Sequence, residues 1–127
     1  MDQFLPPSAT EPAYRVDAYP PDLPGLPWVV YRRVGDRLLR LWFRYPEKAA
    51  DRAHPAVLFF FGGGYRIGTP TQFDYQARAL AAAGVVGILA DYRVASRDGV
   101  TLPACVEDAR AAFARVRTSA GGRGGGG

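Results

Sequence analysis

Hydrophobic and polar positions divide the chain into short apolar runs separated by turn signals. Residues 1–27 have no period that suits a helix or strand, but they are dense in proline (Pro6, Pro7, Pro12, Pro20, Pro21, Pro24, Pro27). An extended arm is expected there, packed on the protein surface. A domain then spans residues 28–120. Trp28-Val29-Val30-Tyr31 begins a β-run, Val34-Gly35-Asp36-Arg37 reads as a turn, and residues 38–45 form a second run. The pair predicts an antiparallel hairpin. After a polar loop at 46–55, residues 56–61 are apolar without interruption and stop at Gly62-Gly63-Gly64. Such a run reads as a strand buried on both faces of a parallel sheet.

The next segment carries helix signals. Thr69 is placed as N-cap, Pro70 stands at the first helical position, and Gln72 completes a capping box. Phe73, Ala77, Leu80 and Ala81 fall on one face, and Gly84 closes the helix. Residues 85–90 predict a second buried strand ending at Asp91-Tyr92-Arg93. A second helix is expected over 102–117, its apolar face formed by Val106, Ala109, Phe113 and Val116. Strand, helix, strand, helix makes the class α/β: a hairpin leading into a βαβα unit, with a right-handed crossover. Residues 121–127 are glycine but for Arg123, and a disordered tail is expected. No strand is predicted after the second helix, so the sheet is expected to be incomplete.

Composition narrows the function. The chain has 127 residues, enough for one domain, and a formal charge of +4 carried almost wholly by arginine, since Lys48 is the only lysine. The arginines are scattered rather than clustered with aromatics on one face, which points away from nucleic acid. Cys105 is the only cysteine, leaving neither an internal disulfide nor a zinc framework. No segment reads as a signal peptide or membrane span, and a cytoplasmic protein is expected.

Three consecutive glycines at the carboxyl end of a strand let backbone N–H groups approach a ligand, at the end where open α/β sheets bind theirs. Spacing tests the nucleotide readings. A G-x-G-x-x-G fingerprint fails because Ile67 stands where the third glycine belongs, with Gly68 one residue late. Gly63 to Gly68 has the P-loop spacing, but Thr69 replaces the required lysine.

A strand ending in glycines and an aromatic resembles instead the oxyanion loop of α/β-hydrolases. The matching pieces are Phe59-Phe60-Phe61-Gly62-Gly63-Gly64-Tyr65, Gly68-Thr69-Pro70, Ala90-Asp91-Tyr92-Arg93-Val94 and Val106-Glu107-Asp108-Ala109, in family order. The chain is thus similar to the N-terminal portion of an α/β-hydrolase of the hormone-sensitive-lipase-like or acetyl-esterase-like branch. The resemblance implies a carboxylic-ester hydrolase of the esterase or lipase type. Gly63 and Gly64 would supply oxyanion N–H groups, Gly62 would shape the turn, and Tyr65 would line the acyl pocket. Each such donor lowers the barrier by roughly 3–4 kcal/mol in characterised enzymes. Phe61 stands where many members carry His.

The family's nucleophile motif G-x-S-x-G is absent, and the acid and histidine that come after it in chain order are absent with it. A truncated hydrolase is expected, through gene fragmentation, a frameshift or shortening, inactive alone. Its strand at 56–61 would become a sheet edge open to self-association. Ser8, Ser96 and Ser119 lack a strand-to-helix elbow. His54 is expected on a surface loop and Cys105 as a buried structural thiol. Asp91, Arg93, Glu107 and Asp108 read either as a substrate cluster or, preferably, as an ion pair locking the loop after the second buried strand onto the second helix. Two other readings stay open: a non-catalytic α/β module whose glycine loop binds an anion, and a chain completed by a second polypeptide.

Overall fold

The computed structural model describes residues 19–47 and 53–123; residues 1–18 of the predicted arm (1–27) and 124–127 of the predicted tail (121–127) lie outside them. Strands β1 (Trp28–Val34) and β2 (Arg37–Arg44) form the expected hairpin. Strand β3 (Ala56–Phe60) leads through the glycines and a 3₁₀ turn (Pro70–Phe73) into helix α1 (Asp74–Ala82). Strand β4 (Val86–Ala90), a single-turn helix α2 (Ala95–Asp98) and the long helix α3 (Leu102–Arg123) complete the order.

The four strands form one sheet in the order β1-β2-β4-β3. β4 pairs antiparallel with β2 and parallel with β3. Flanked on both edges, β4 is buried at every position. Its side chains alternate between layers, as a strand's period of two requires. Val86, Ile88 and Ala90 join Leu41 and Ala112 of α3 on one face. Leu89 joins Trp42, Ala77 of α1 and Leu23 on the other. Burying each such Leu or Ile stabilises the fold by about 1.5–3 kcal/mol. α1 packs so tightly that a β-carbon at Gly87 would lie 2.7 Å from Ala77 Cβ. Leu23, with Leu26 half-buried beside it, anchors the segment before β1 to this core.

Several expectations need correcting. β3 is not buried on both faces: it forms the edge of the sheet, its residues are half-buried, and Val57 is exposed. The edge itself is as anticipated. The inward face of α3 is turned about one residue from the apolar stripe. Cys105, Asp108 and Ala112 are buried, while Val106 and Phe113 are exposed. The cause is charge: Asp108 is drawn inward by Arg93 and Arg32, and that pairing overrides hydrophobic periodicity. α3 also continues six residues past Arg117, so 121–123 are helical. Helical hydrogen bonding carries through Gly121 and Gly122 although each glycine costs about 1 kcal/mol relative to alanine.

The capping box does not form. Thr69 has extended N-cap geometry but its side chain makes no capping bond, and its buried Oγ1 lacks a partner among the described residues. Gln72 turns instead toward the glycine loop. His54 is buried rather than on the surface, its Nδ1 3.0 Å from Gly84 O. A carbonyl only accepts, so Nδ1 carries the proton.

Candidate functional site

The glycine loop leaves the carboxyl end of β3 and reverses over six residues. Arg66 N–H donates to Gly63 O at 3.2 Å, closing the turn. Glycine is obligatory at two positions here. A β-carbon on Gly63, whose φ is 144°, would lie 1.9 Å from Ile67 O. One on Gly68, at φ 137°, would lie 2.3 Å from the Phe61 ring. Tyr65 takes a left-handed conformation, φ 63°, that L-residues other than Gly, Asn and Asp seldom adopt. Backbone bonds hold it there: Ala95 N–H donates to Tyr65 O at 3.2 Å and Ser96 N–H to Arg66 O at 2.8 Å.

Side chains fix the loop from outside. Tyr92, just past β4, donates its hydroxyl to Phe61 O at 2.5 Å, and its ring stacks on the Phe61 ring with centroids 4.1 Å apart. Gly62 N–H donates to Gln72 Oε1 at 2.5 Å. Arg97 donates to Gly68 O at 2.6 Å. Gly62, Gly63 and Gly64 are solvent-exposed, and among the described residues neither Gly63 N–H nor Gly64 N–H donates a hydrogen bond.

A cavity of about 380 Å³ opens beside the loop, lined by Phe60, Phe61, Gly62, Gly64, Tyr65 and Tyr92, with Cys105 and Ala109. Gly62, Gly64 and Tyr65 thus line one cavity, while Gly63 is not among the lining residues. Burial pushes the Tyr92 phenol up to about 12, assisted by the neighbouring Cys105. Burial, then Asp108, pushes the Cys105 thiol up as well, and its Sγ is 3.0 Å from Arg93 O. A thiol so placed is a poor nucleophile at neutral pH, which agrees with the structural role expected of it.

Other singled-out residues lie elsewhere. His54 sits at the opposite end of β3, on the order of 20 Å along the strand from the glycines at about 3.3 Å per residue. It cannot act as base there. Ser96 is exposed on α2, Ser119 belongs to α3, and Ser8 lies outside the described residues.

The polar cluster resolves into two centres. Asp108, fully buried, accepts from Arg93 Nε at 2.9 Å, Arg93 Nη2 at 3.1 Å, Arg93 N–H at 3.0 Å and Arg32 Nη1 at 2.8 Å. That is the locking contact, fully engaged. Asp91, also buried, accepts from Tyr19 Oη at 2.6 Å and Arg37 Nη1 at 2.9 Å. Burial pushes Asp91 up despite Arg37. Arg37 also grips Asp98, 2.7 Å from Nε. Burial opposes ionisation of Asp98, but the Arg37 bond prevails and holds it down. Nothing in the linear pattern marked Arg37, Arg32 or Tyr19 as partners of these acids, or Gln72 as a partner of the glycine loop. The only signal was the presence of acids after β4 that, once buried, require partners.

The chain's fold is similar to that of solved esterases. The esterase of the Planctomycetes species Thermogutta terrifontis in its propionate-bound form is 41% identical over 81% of this chain, with a TM-score of 0.74. Its native form matches 82% of this chain with the same identity and TM-score. The fold is a partial α/β-hydrolase fold. These likenesses support an esterase-type α/β-hydrolase family, and the chain spans 38% of the length of either esterase chain. No protein-family model and no curated protein matches the sequence. Within this α/β-hydrolase fold, no group of three or more His, Cys, Asp or Glu among the described residues is placed to hold a metal. No described helix is long and apolar enough to cross a membrane.

Proposed function

We propose that the chain forms the oxyanion-binding part of a serine-type carboxylic-ester hydrolase, of the hormone-sensitive-lipase-like or acetyl-esterase-like branch. The observation that carries this is that exposed Gly63 and Gly64 donate no N–H hydrogen bond among the described residues, with Gly64 lining the aromatic cavity. Attack on an ester carbonyl places negative charge on its oxygen. Fixed N–H donors stabilise that charge without reorganising. Gly62 shapes the turn, and Tyr65, with Tyr92 and Phe60, walls the acyl side. The compared esterase has been captured with propionate and with butyrate, and phosphonylated by cyclosarin. Those ligands support a short-chain ester as the substrate class, handled with neither cofactor nor metal.

The serine, acid and base of such a reaction have no counterpart in these 127 residues, so the chain alone turns over no ester. The test is hydrolysis of p-nitrophenyl butyrate by the purified protein: no release above background is expected. Turnover abolished by a serine-reactive phosphonate would overturn the expectation that the chain alone is inactive. In parallel, butyrate is expected to shift the Gly63 and Gly64 amide resonances.

The exposed N–H pair, with no nucleophile beside it, equally supports a non-catalytic anion-binding module. Phosphate binding tighter than butyrate binding would favour that reading. The free edge of β3 supports self-association, and the single reduced, buried Cys105 suits a cytoplasmic setting. No nucleic-acid partner is proposed.

A further inference from the structure

We propose that Gln72 is a positioning residue which, opposite Tyr92, clamps the Phe61–Gly62 peptide and thereby aims the N–H groups of Gly63 and Gly64. The inference rests on the oxyanion reading of those two glycines. One peptide unit is held at both of its polar ends. Its carbonyl accepts from the Tyr92 hydroxyl at 2.5 Å, and its N–H donates to Gln72 Oε1 at 2.5 Å. The two side chains come from different elements, Tyr92 from the exit of β4 and Gln72 from the turn that opens α1. Rotating that peptide plane would break both bonds together.

Glycines cannot supply this order themselves. Residues 62–64 have no side chains to pack, and their φ and ψ angles are the least restrained in the chain. A donor pair on such a segment is preorganised only if the peptide leading into it is fixed from outside, as donors that stabilise a developing charge require. The partner sets the orientation of the Gln72 amide: an N–H needs an acceptor, so Oε1 faces Gly62 and Nε2 faces away. The side chain withheld from the capping box therefore has a role in the loop. The clamp also explains why a neutral amide suits the position. A carboxylate would accept the same bond but add negative charge beside a site meant for an anion.

The experiment is amide hydrogen exchange by NMR on the ¹⁵N-labelled 127-residue chain, comparing wild type with Gln72→Leu and Gln72→Glu. In wild type, Gly62 N–H is expected to be protected. In Gln72→Leu it should exchange at least about tenfold faster, as for loss of one hydrogen bond worth about 1.4 kcal/mol, and the Gly63 and Gly64 resonances should move toward random-coil positions. Leu89 and Ala90 in β4 should keep their protection, which separates loss of the clamp from loss of the fold. Gln72→Glu should restore Gly62 protection yet weaken the response of Gly63 and Gly64 to butyrate. Unchanged Gly62 exchange, with unchanged Gly63 and Gly64 shifts in Gln72→Leu, would overturn the proposal. Silence of wild-type Gly63 and Gly64 toward butyrate overturns the oxyanion reading alone, while faster Gly62 exchange in Gln72→Leu still supports the clamp.

Discussion

Arg93 holds both carboxylate oxygens of Asp108, Nε 2.9 Å from Oδ2 and Nη2 3.1 Å from Oδ1. Asp108 is completely buried, and Arg32 adds a third guanidinium contact from β1. The site ties β1, the exit of β4 and α3 together. Removing one partner of a buried pair leaves the other charge unsatisfied, at a cost of about 3–5 kcal/mol. In Arg93→Ala, Asp108 keeps Arg32 and the backbone N–H of residue 93, so the unfolding free energy is expected to fall by less, about 1–3 kcal/mol, in urea titration. Asp108→Asn, which keeps the shape and loses the charge, should also destabilise. A change below about 1 kcal/mol in Arg93→Ala would show that the contact is not needed.

Gly63 and Gly64 should respond differently to alanine. At Gly64, φ is 66° and the space around a β-carbon is open, so Gly64→Ala should cost only the left-handed penalty of about 1–2 kcal/mol. At Gly63 the new carbon would sit on Ile67 O. The loop must then rearrange, and a cost above about 2 kcal/mol, or a changed loop spectrum, is expected. Equal melting temperatures and equal loop spectra for the two variants would contradict this.

Alkaline pH should destabilise the fold through two tyrosines. Burial, helped by Asp91, pushes Tyr19 up to about 12, and burial pushes Tyr92 to about 12, against an ordinary value of 10.0. The folded state thus keeps protons that the unfolded chain releases. The stabilisation is complete below pH 10 and is lost as pH rises through about 12. Melting temperature is expected to fall across that window, with a shallower slope in Tyr92→Phe. A flat profile would refute the buried-phenol account.

The Tyr92 hydroxyl also satisfies Phe61 O, and Tyr92→Phe leaves that carbonyl without its partner. A loss of about 1–3 kcal/mol at pH 7 is expected by thermal or chemical denaturation. A neutral effect would mean that water replaces the hydroxyl freely.

The edge of β3 should associate. Its residues are all apolar, and Val57 is exposed. Unprotected apolar edges pair with other strands. Sedimentation is expected to show concentration-dependent oligomers, reduced in Val57→Lys. A monomer with a sharp, cooperative thermal transition in wild type would contradict it.

The linear pattern was enough for the hairpin, β3, β4, α1 and α3, though not for the single turn of α2, because strand and helix periods are written in neighbouring residues. The glycines at 62–64 were equally legible as a run, and at Gly63 and Gly64 the positive φ favours glycine. What the pattern could not decide was partnership across the fold. It placed the α3 face on Val106, Ala109, Phe113 and Val116; Val116 packs on the core, but Val106 and Phe113 are exposed and Asp108 is buried between two arginines instead. It assigned Gln72 to a local cap, whereas a loop ten residues earlier claimed its oxygen. It left His54 on the surface, although its ring N–H donates to Gly84 O in the interior. Local chemistry determines where strands end and glycines are required. Only tertiary packing decides which buried donor meets which acceptor, because those partners lie up to 76 residues apart and share no sequence signal.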